Sequence, residues 1–140
     1  MLLVAAALTL SACDSTAPEP FPDLVGVYTF DALFRDALAS DVRARGTLTF
    51  THVDAETGRL LGDADVQLTV TGEPPIRFTA FELATVTREG EIAFRLHLPD
   101  LVGEWRFTGT VSPSADTMHG NHALATVDGE FLGTWTAGRI

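Results

Sequence analysis

The chain has 140 residues, 46% of them hydrophobic and 20% charged, with a formal net charge of -10. Its 9 cationic side chains are all arginine and face 19 acidic ones. That balance argues against a nucleic-acid partner, whose phosphates demand basic patches, and against a protein face lying flat on anionic lipid. The absence of lysine also removes Schiff-base, phosphate-loop and serine–lysine chemistry.

Residues Met1 to Leu10 carry no charge and a single hydroxyl. A membrane-spanning helix needs about 20 apolar residues. This run is about half that length, and small residues follow it, so it reads as a signal-peptide core and processing site. Leu10-Ser11-Ala12-Cys13 resembles the lipobox of bacterial lipoproteins. The resemblance implies cleavage between Ala12 and Cys13, lipid on the Cys13 thiol, and a membrane-anchored location in the bacterial cell envelope, periplasmic or on the outer surface. Cys13 is the single cysteine, so no disulfide forms within the chain, and lipidation accounts for it. Residues 1–12 are thus expected to be a lipoprotein signal peptide. Residues 13–22, rich in proline and polar side chains, are the lipidated cysteine and a flexible tether. Residues 23–140 form one domain.

From residue 24 the pattern is of strands separated by turn signals, as in an all-β barrel or sandwich. Leu24–Phe30 is the first. The segment Asp31–Asp41 interrupts: Leu33, Phe34, Ala37 and Leu38 have helical spacing, which predicts a short helix or irregular crossing. Ala44–Val53 alternates Leu48 and Phe50 against Thr47, Thr49 and Thr51. Leu60–Thr71 alternates Val66, Leu68 and Val70 against Asp65, Gln67 and Thr69. Ile76–Thr87 is one strand whose alternation slips between Phe78 and Phe81, predicting a bulge near Ala80. Glu91–Leu98, Gly103–Ser112 and Thr117–Val127 follow. Asp128-Gly129 signals a hairpin into Glu130–Gly138. The expectation is an antiparallel, up-and-down barrel of eight strands, with an open β-sandwich as the alternative.

Gly26-Val-Tyr28 lies near where lipocalins carry Gly-x-Trp. Trp105-Arg-Phe-Thr-Gly-Thr-Val, Gly120, and Gly133-Thr-Trp-Thr-Ala-Gly-Arg139 resemble the closing strands of small bacterial lipocalin-like lipoproteins. The resemblance implies a calycin-like barrel with room for a small hydrophobic ligand, in a family whose ligands are diverse.

Candidate chemistry is sparse. His119 and His122 are three apart on a strand and so point to opposite faces, which does not suit a shared metal ion. By parity His52 lies with Leu48 and Phe50, and His122 with Met118 and Leu124, so both are expected to face inward. Together with Tyr28, Trp105 and Trp135 they form the candidate ligand pocket. Against that stands the commoner role of buried histidines and tryptophans as core anchors. Asp63 and Asp65 share a face, and Asp54 and Glu56 sit in a turn, without calcium-loop spacing. The domain's serines, Ser40, Ser112 and Ser114, lack a nucleophile-elbow context. No catalytic residue, metal site or cofactor is expected. The expected function is that of an envelope lipoprotein whose domain binds a small hydrophobic ligand, or, alternatively, a structural or protein-interaction lipoprotein with a filled barrel. The large inward residues favour the filled interior.

Overall fold

The structure is a computed structural model, and it describes residues 19–35, 42–98 and 103–140. The expected signal peptide, Cys13 and most of the tether lie outside the described residues, as do residues 36–41 and 99–102.

Among the described residues, nine strands form one antiparallel sheet: β1 (Gly26–Phe34), β2 (Val42–Val53), β3 (Leu60–Val70), β4 (Ile76–Phe78), β5 (Phe81–Val86), β6 (Glu91–Leu96), β7 (Gly103–Val111), β8 (Thr117–Thr126) and β9 (Gly129–Arg139). Their order across the sheet is β4-β3-β2-β1-β9-β8-β7-β6-β5. Sequential strands are neighbours, and β1 pairs with β9, bringing both ends of the described domain to one pole, where Tyr28 faces Arg139. The two edge strands β4 and β5 are separated by only Thr79 and Ala80 in the chain. The sheet must therefore curl to bring its edges together. Arg59 bridges to Thr85, the Val86 amide donates to the Gly58 carbonyl at 2.8 Å, and the Ala64 amide reaches the Thr79 carbonyl at 3.4 Å. The outcome is one curled, barrel-like sheet and not two facing sheets.

The fold departs from the sequence expectation in two places. The expected single strand Ile76–Thr87 is two, β4 and β5, so the count is nine and not eight. The division falls where the alternation slips, and the β5–β6 register shifts between Phe81 and Leu83. The expected helix or irregular crossing at Asp31–Asp41 is also corrected for its described part: Asp31 to Phe34 continue β1. Ladder partners on both sides, Arg45 and Ala44 of β2 and Thr136 and Trp135 of β9, extend that strand. Burying Ala32 inward and pairing Asp31 with Arg43 at 2.5 Å outside outweighs the local helical spacing.

Alternation then builds the interior. Along β1, Tyr28, Phe30 and Ala32 are buried while Val27, Thr29 and Leu33 are exposed. The same period puts Phe50, Phe78, Phe94, Trp105, Phe107 and Trp135 inside. Their rings interlock. Phe94 stacks on Phe107 at 4.6 Å between centroids, and Trp135 meets Phe94 edge-on at 5.2 Å. Trp105 packs between Phe78 at 5.1 Å and Phe107 at 5.0 Å. Pairs of this kind contribute about 0.5–1.5 kcal/mol each beyond their burial.

Candidate functional site in the barrel interior

Four of the five candidate pocket residues are brought inside: Tyr28 and Trp105 at 0% exposure, Trp135 at 1% and His122 at 3%. His52 is not among them; it is exposed. The reason is local. Phe50 pairs with Gly62, but His52 pairs with Leu61, so one extra residue enters β2 between them. Such a bulge shifts the side-chain parity by one. His52 ends on the outer rim beside Pro22, Asp23, Val25 and Val53, away from His122.

Each interior residue has its polar atom engaged. At the pole of the termini, the Tyr28 hydroxyl donates to the Ala115 carbonyl at 2.7 Å. The Arg139 guanidinium lies 5.0 Å from the Tyr28 ring centre. Burial pushes the phenol above its usual range, against the opposing pull of Arg139. Arg139 also donates to the carbonyls of Val25 and Asp23, both at 2.8 Å, and of Ala115 at 3.1 Å. It thereby clamps the segment that leads into β1.

Trp135 sits beneath β7, with its indole N–H on the Thr108 carbonyl at 3.1 Å. A Cβ added at Gly109 would lie 2.9 Å from the Trp135 Cζ2 atom. The ring occupies space that a side chain at Gly109 would need, so this inward glycine holds no void.

Toward the opposite pole, the Trp105 indole N–H donates to Nδ1 of His122 at 3.1 Å. Nδ1 is therefore the unprotonated nitrogen, and Nε2–H donates to the Leu33 carbonyl at 2.8 Å. The second-nitrogen bond sets the tautomer. Burial holds His122 below the usual histidine range, the Leu33 bond works against that shift and Arg35 adds to it. Phe34 closes over the ring edge-on at 4.7 Å. With both nitrogens committed, this imidazole has no lone pair left for a metal or a substrate proton.

The remaining candidate groups are spread apart. His119 is exposed and lies on the face opposite His122. Asp65 pairs with Arg77 at 2.8 Å on the outer wall. The Asp54 carboxylate accepts from the Glu56 and Thr57 amides at 2.8 and 3.0 Å, which holds it below the usual carboxylate range. Among the described residues, no three His, Cys, Asp or Glu side chains converge as a metal set.

Sequence reasoning missed a groove of about 510 Å³ on the outer wall, lined by Thr85, Glu91, Thr108, Thr110, His119 and Asn121 among others. Its signal was present in the polar residues of β7 and β8 that alternate with the buried ones, Thr108 and Thr110 opposite Asn121 and His119. Compared with protein-family models, with curated proteins and with solved structures, the chain matches none of them.

Proposed function

We propose that this chain is a lipid-anchored lipoprotein of the bacterial cell envelope whose lipocalin-like domain has a filled interior and works through its outer surface. The observation that carries the reading is the interior itself. An eight-to-nine-stranded barrel is just wide enough for side chains or one small ligand. Here the space is taken by the rings of Phe30, Phe94, Phe107, Trp105 and Trp135, with neighbouring centroids 4.6–6.4 Å apart. The anchor rests on Leu10-Ser11-Ala12-Cys13. The net charge of -10 suits a domain held away from anionic headgroups by its tether.

The test is a titration of the protein at neutral pH with fatty acids and retinoid-like probes, following tryptophan fluorescence. The expected outcome is no saturable change with any probe. Saturable quenching by any of these probes would overturn the filled-barrel reading in favour of a hydrophobic-ligand carrier.

A further inference from the structure

We infer that His122 is a proton-operated latch: its neutral ring ties the end of β1 to the barrel interior, and protonation of that ring releases the strand end. The ring links two elements that are remote in sequence, accepting from Trp105 of β7 and donating to the Leu33 carbonyl of β1. The link is possible only because β9 carries a glycine opposite His122. A Cβ on Gly133 would lie 1.8 Å from the Leu33 oxygen and 2.5 Å from the His122 Nε2. Gly133 therefore leaves the niche in which carbonyl and imidazole meet.

A second proton must go on Nδ1, where the Trp105 N–H already points from 3.1 Å. Two donors then face each other in a buried place, so the closed arrangement cannot accept the proton intact. Nor does the charge of the described residues compensate. The elements packed on the ring are β1, β7 and β9. Asp31 and Arg35 on the β1 side, Glu104 and Arg106 of β7, and Glu130 of β9 are exposed or half-buried. Asp31 is engaged by Arg43 and Glu104 by Arg95. On His122's own strand, His119 faces outward. Arg139 is at the other pole, on Asp116. Among the described residues, Arg35 is the charge that reaches the ring, and it repels a second positive charge. A protonated His122 is accommodated by turning toward water, which breaks the Leu33 bond. What remains at the tip of β1 is the Arg35 amide on the Leu132 carbonyl at 2.8 Å and the Arg35 side chain on Asn121 at 3.1 Å. The latch therefore makes the end of the barrel remote from the termini sensitive to acid.

The test follows amide hydrogen exchange, corrected for its intrinsic pH dependence, in the full chain in detergent micelles. The Arg35 amide reports the latch. The Val111 amide, bonded to the Gly90 carbonyl at 2.8 Å, is the internal reference. Exchange at Arg35 should rise by about tenfold for each pH unit below about 6.5, until the folded ring itself titrates, and by more than at Val111, which follows only the loss of global stability. His122→Gln, which cannot take the proton, should abolish the step. Arg35→Gln, at an exposed site, should end the rise at a higher pH and leave it smaller. If His122→Gln does not fold, Arg35→Gln and the wild-type ring titration by NMR still decide. A ring that titrates with no change at the position-35 amide, a step that persists in His122→Gln, or an Arg35→Gln rise that ends no higher in pH than the wild type's would each overturn the latch.

Discussion

At the scale of single residues, the interior polar groups show why this core tolerates a tyrosine, two tryptophans and a histidine. Each of those side chains has a buried body and a polar edge, one atom in tyrosine and tryptophan and two in histidine, and each polar atom finds a partner: Tyr28 on Ala115, Trp135 on Thr108, and His122 between Trp105 and Leu33. The asymmetry between making and orphaning such bonds gives two predictions. Tyr28→Phe removes a donor but leaves the Ala115 carbonyl to Arg139, so the cost should be about 0.5–1.5 kcal/mol. A lower urea midpoint with an unchanged slope would show it. His122→Phe strands both the Trp105 N–H and the Leu33 carbonyl, and should cost more, about 1–3 kcal/mol for each orphaned group. The pH dependence follows from the direction of the His122 shift. Because burial lowers its folded pKa, the folded state binds the proton less well than the unfolded chain does. Its contribution is complete above the unfolded value of about 6.5 and is lost as pH falls below it. Urea midpoints measured from pH 7.5 down to 5.5 should therefore decline in the wild type and decline less in His122→Gln.

At the scale of elements, the strands were legible wherever one face is wet, because the period of two then appears directly in the sequence. β3, β6 and β9 read correctly for that reason. The positions that misled were those where the ladder adds or drops a residue. In β2 the bulge after Phe50 reverses the parity of His52, and no residue type there announces it: Thr51 is an ordinary strand residue. At Thr79-Ala80 the slip was visible in Phe78 and Phe81, but whether it bends one strand or makes two depends on partners far away in the chain. Residues Leu33, Phe34, Ala37 and Leu38 carry a true helical spacing, yet β1 extends through Phe34 because β2 and β9 both offer hydrogen bonds. Local pattern is a weak prior beside two ladders. The two conformations make opposite predictions for neighbouring residues. A helix burying Leu33 and Phe34 would expose Ala32, whereas the strand buries Ala32 at 0% and leaves Leu33 at 49%. Ala32→Asn should then cost about 1–3 kcal/mol for the uncompensated amide, with a comparable overpacking term, while Leu33→Asn should stay within about 0.5 kcal/mol. The reverse order in denaturant unfolding would restore the helix.

At the scale of the whole molecule, curling one sheet until its edges meet places the large rings inside and the charges outside. With the interior filled, the core has little slack. Trp135 touches Phe30, Phe94 and Phe107 and fills the hollow under Gly109. Trp135→Ala should cost about 3–5 kcal/mol, a large share of the total for a marginally stable domain. The geometry also bears on how the domain is presented. Arg88 lies over the Phe21 ring at 4.3 Å, and Arg139 holds the Asp23 and Val25 carbonyls. The described segment before β1 is therefore gripped at the pole where β1 begins and β9 ends. At most about 3.3–3.6 Å per residue separates that grip from an anchor at Cys13. An acidic domain gains nothing from anionic headgroups, so under the proposed function membrane attachment would come from the lipid itself, at about 0.8 kcal/mol per buried methylene and with more than one chain for stable holding. This sets apart two kinds of membrane association. Attachment through surface charge is released by high salt, whereas attachment through acyl chains is not. The wild-type protein should take up labelled fatty acid and stay with the membrane fraction through a high-salt wash. Cys13→Ser should lose the label and be released or left unprocessed. A Cys13→Ser protein that is processed normally and still sediments with membranes after the wash would remove the anchor from the proposed function, and would leave the filled barrel and its outer surface as they are.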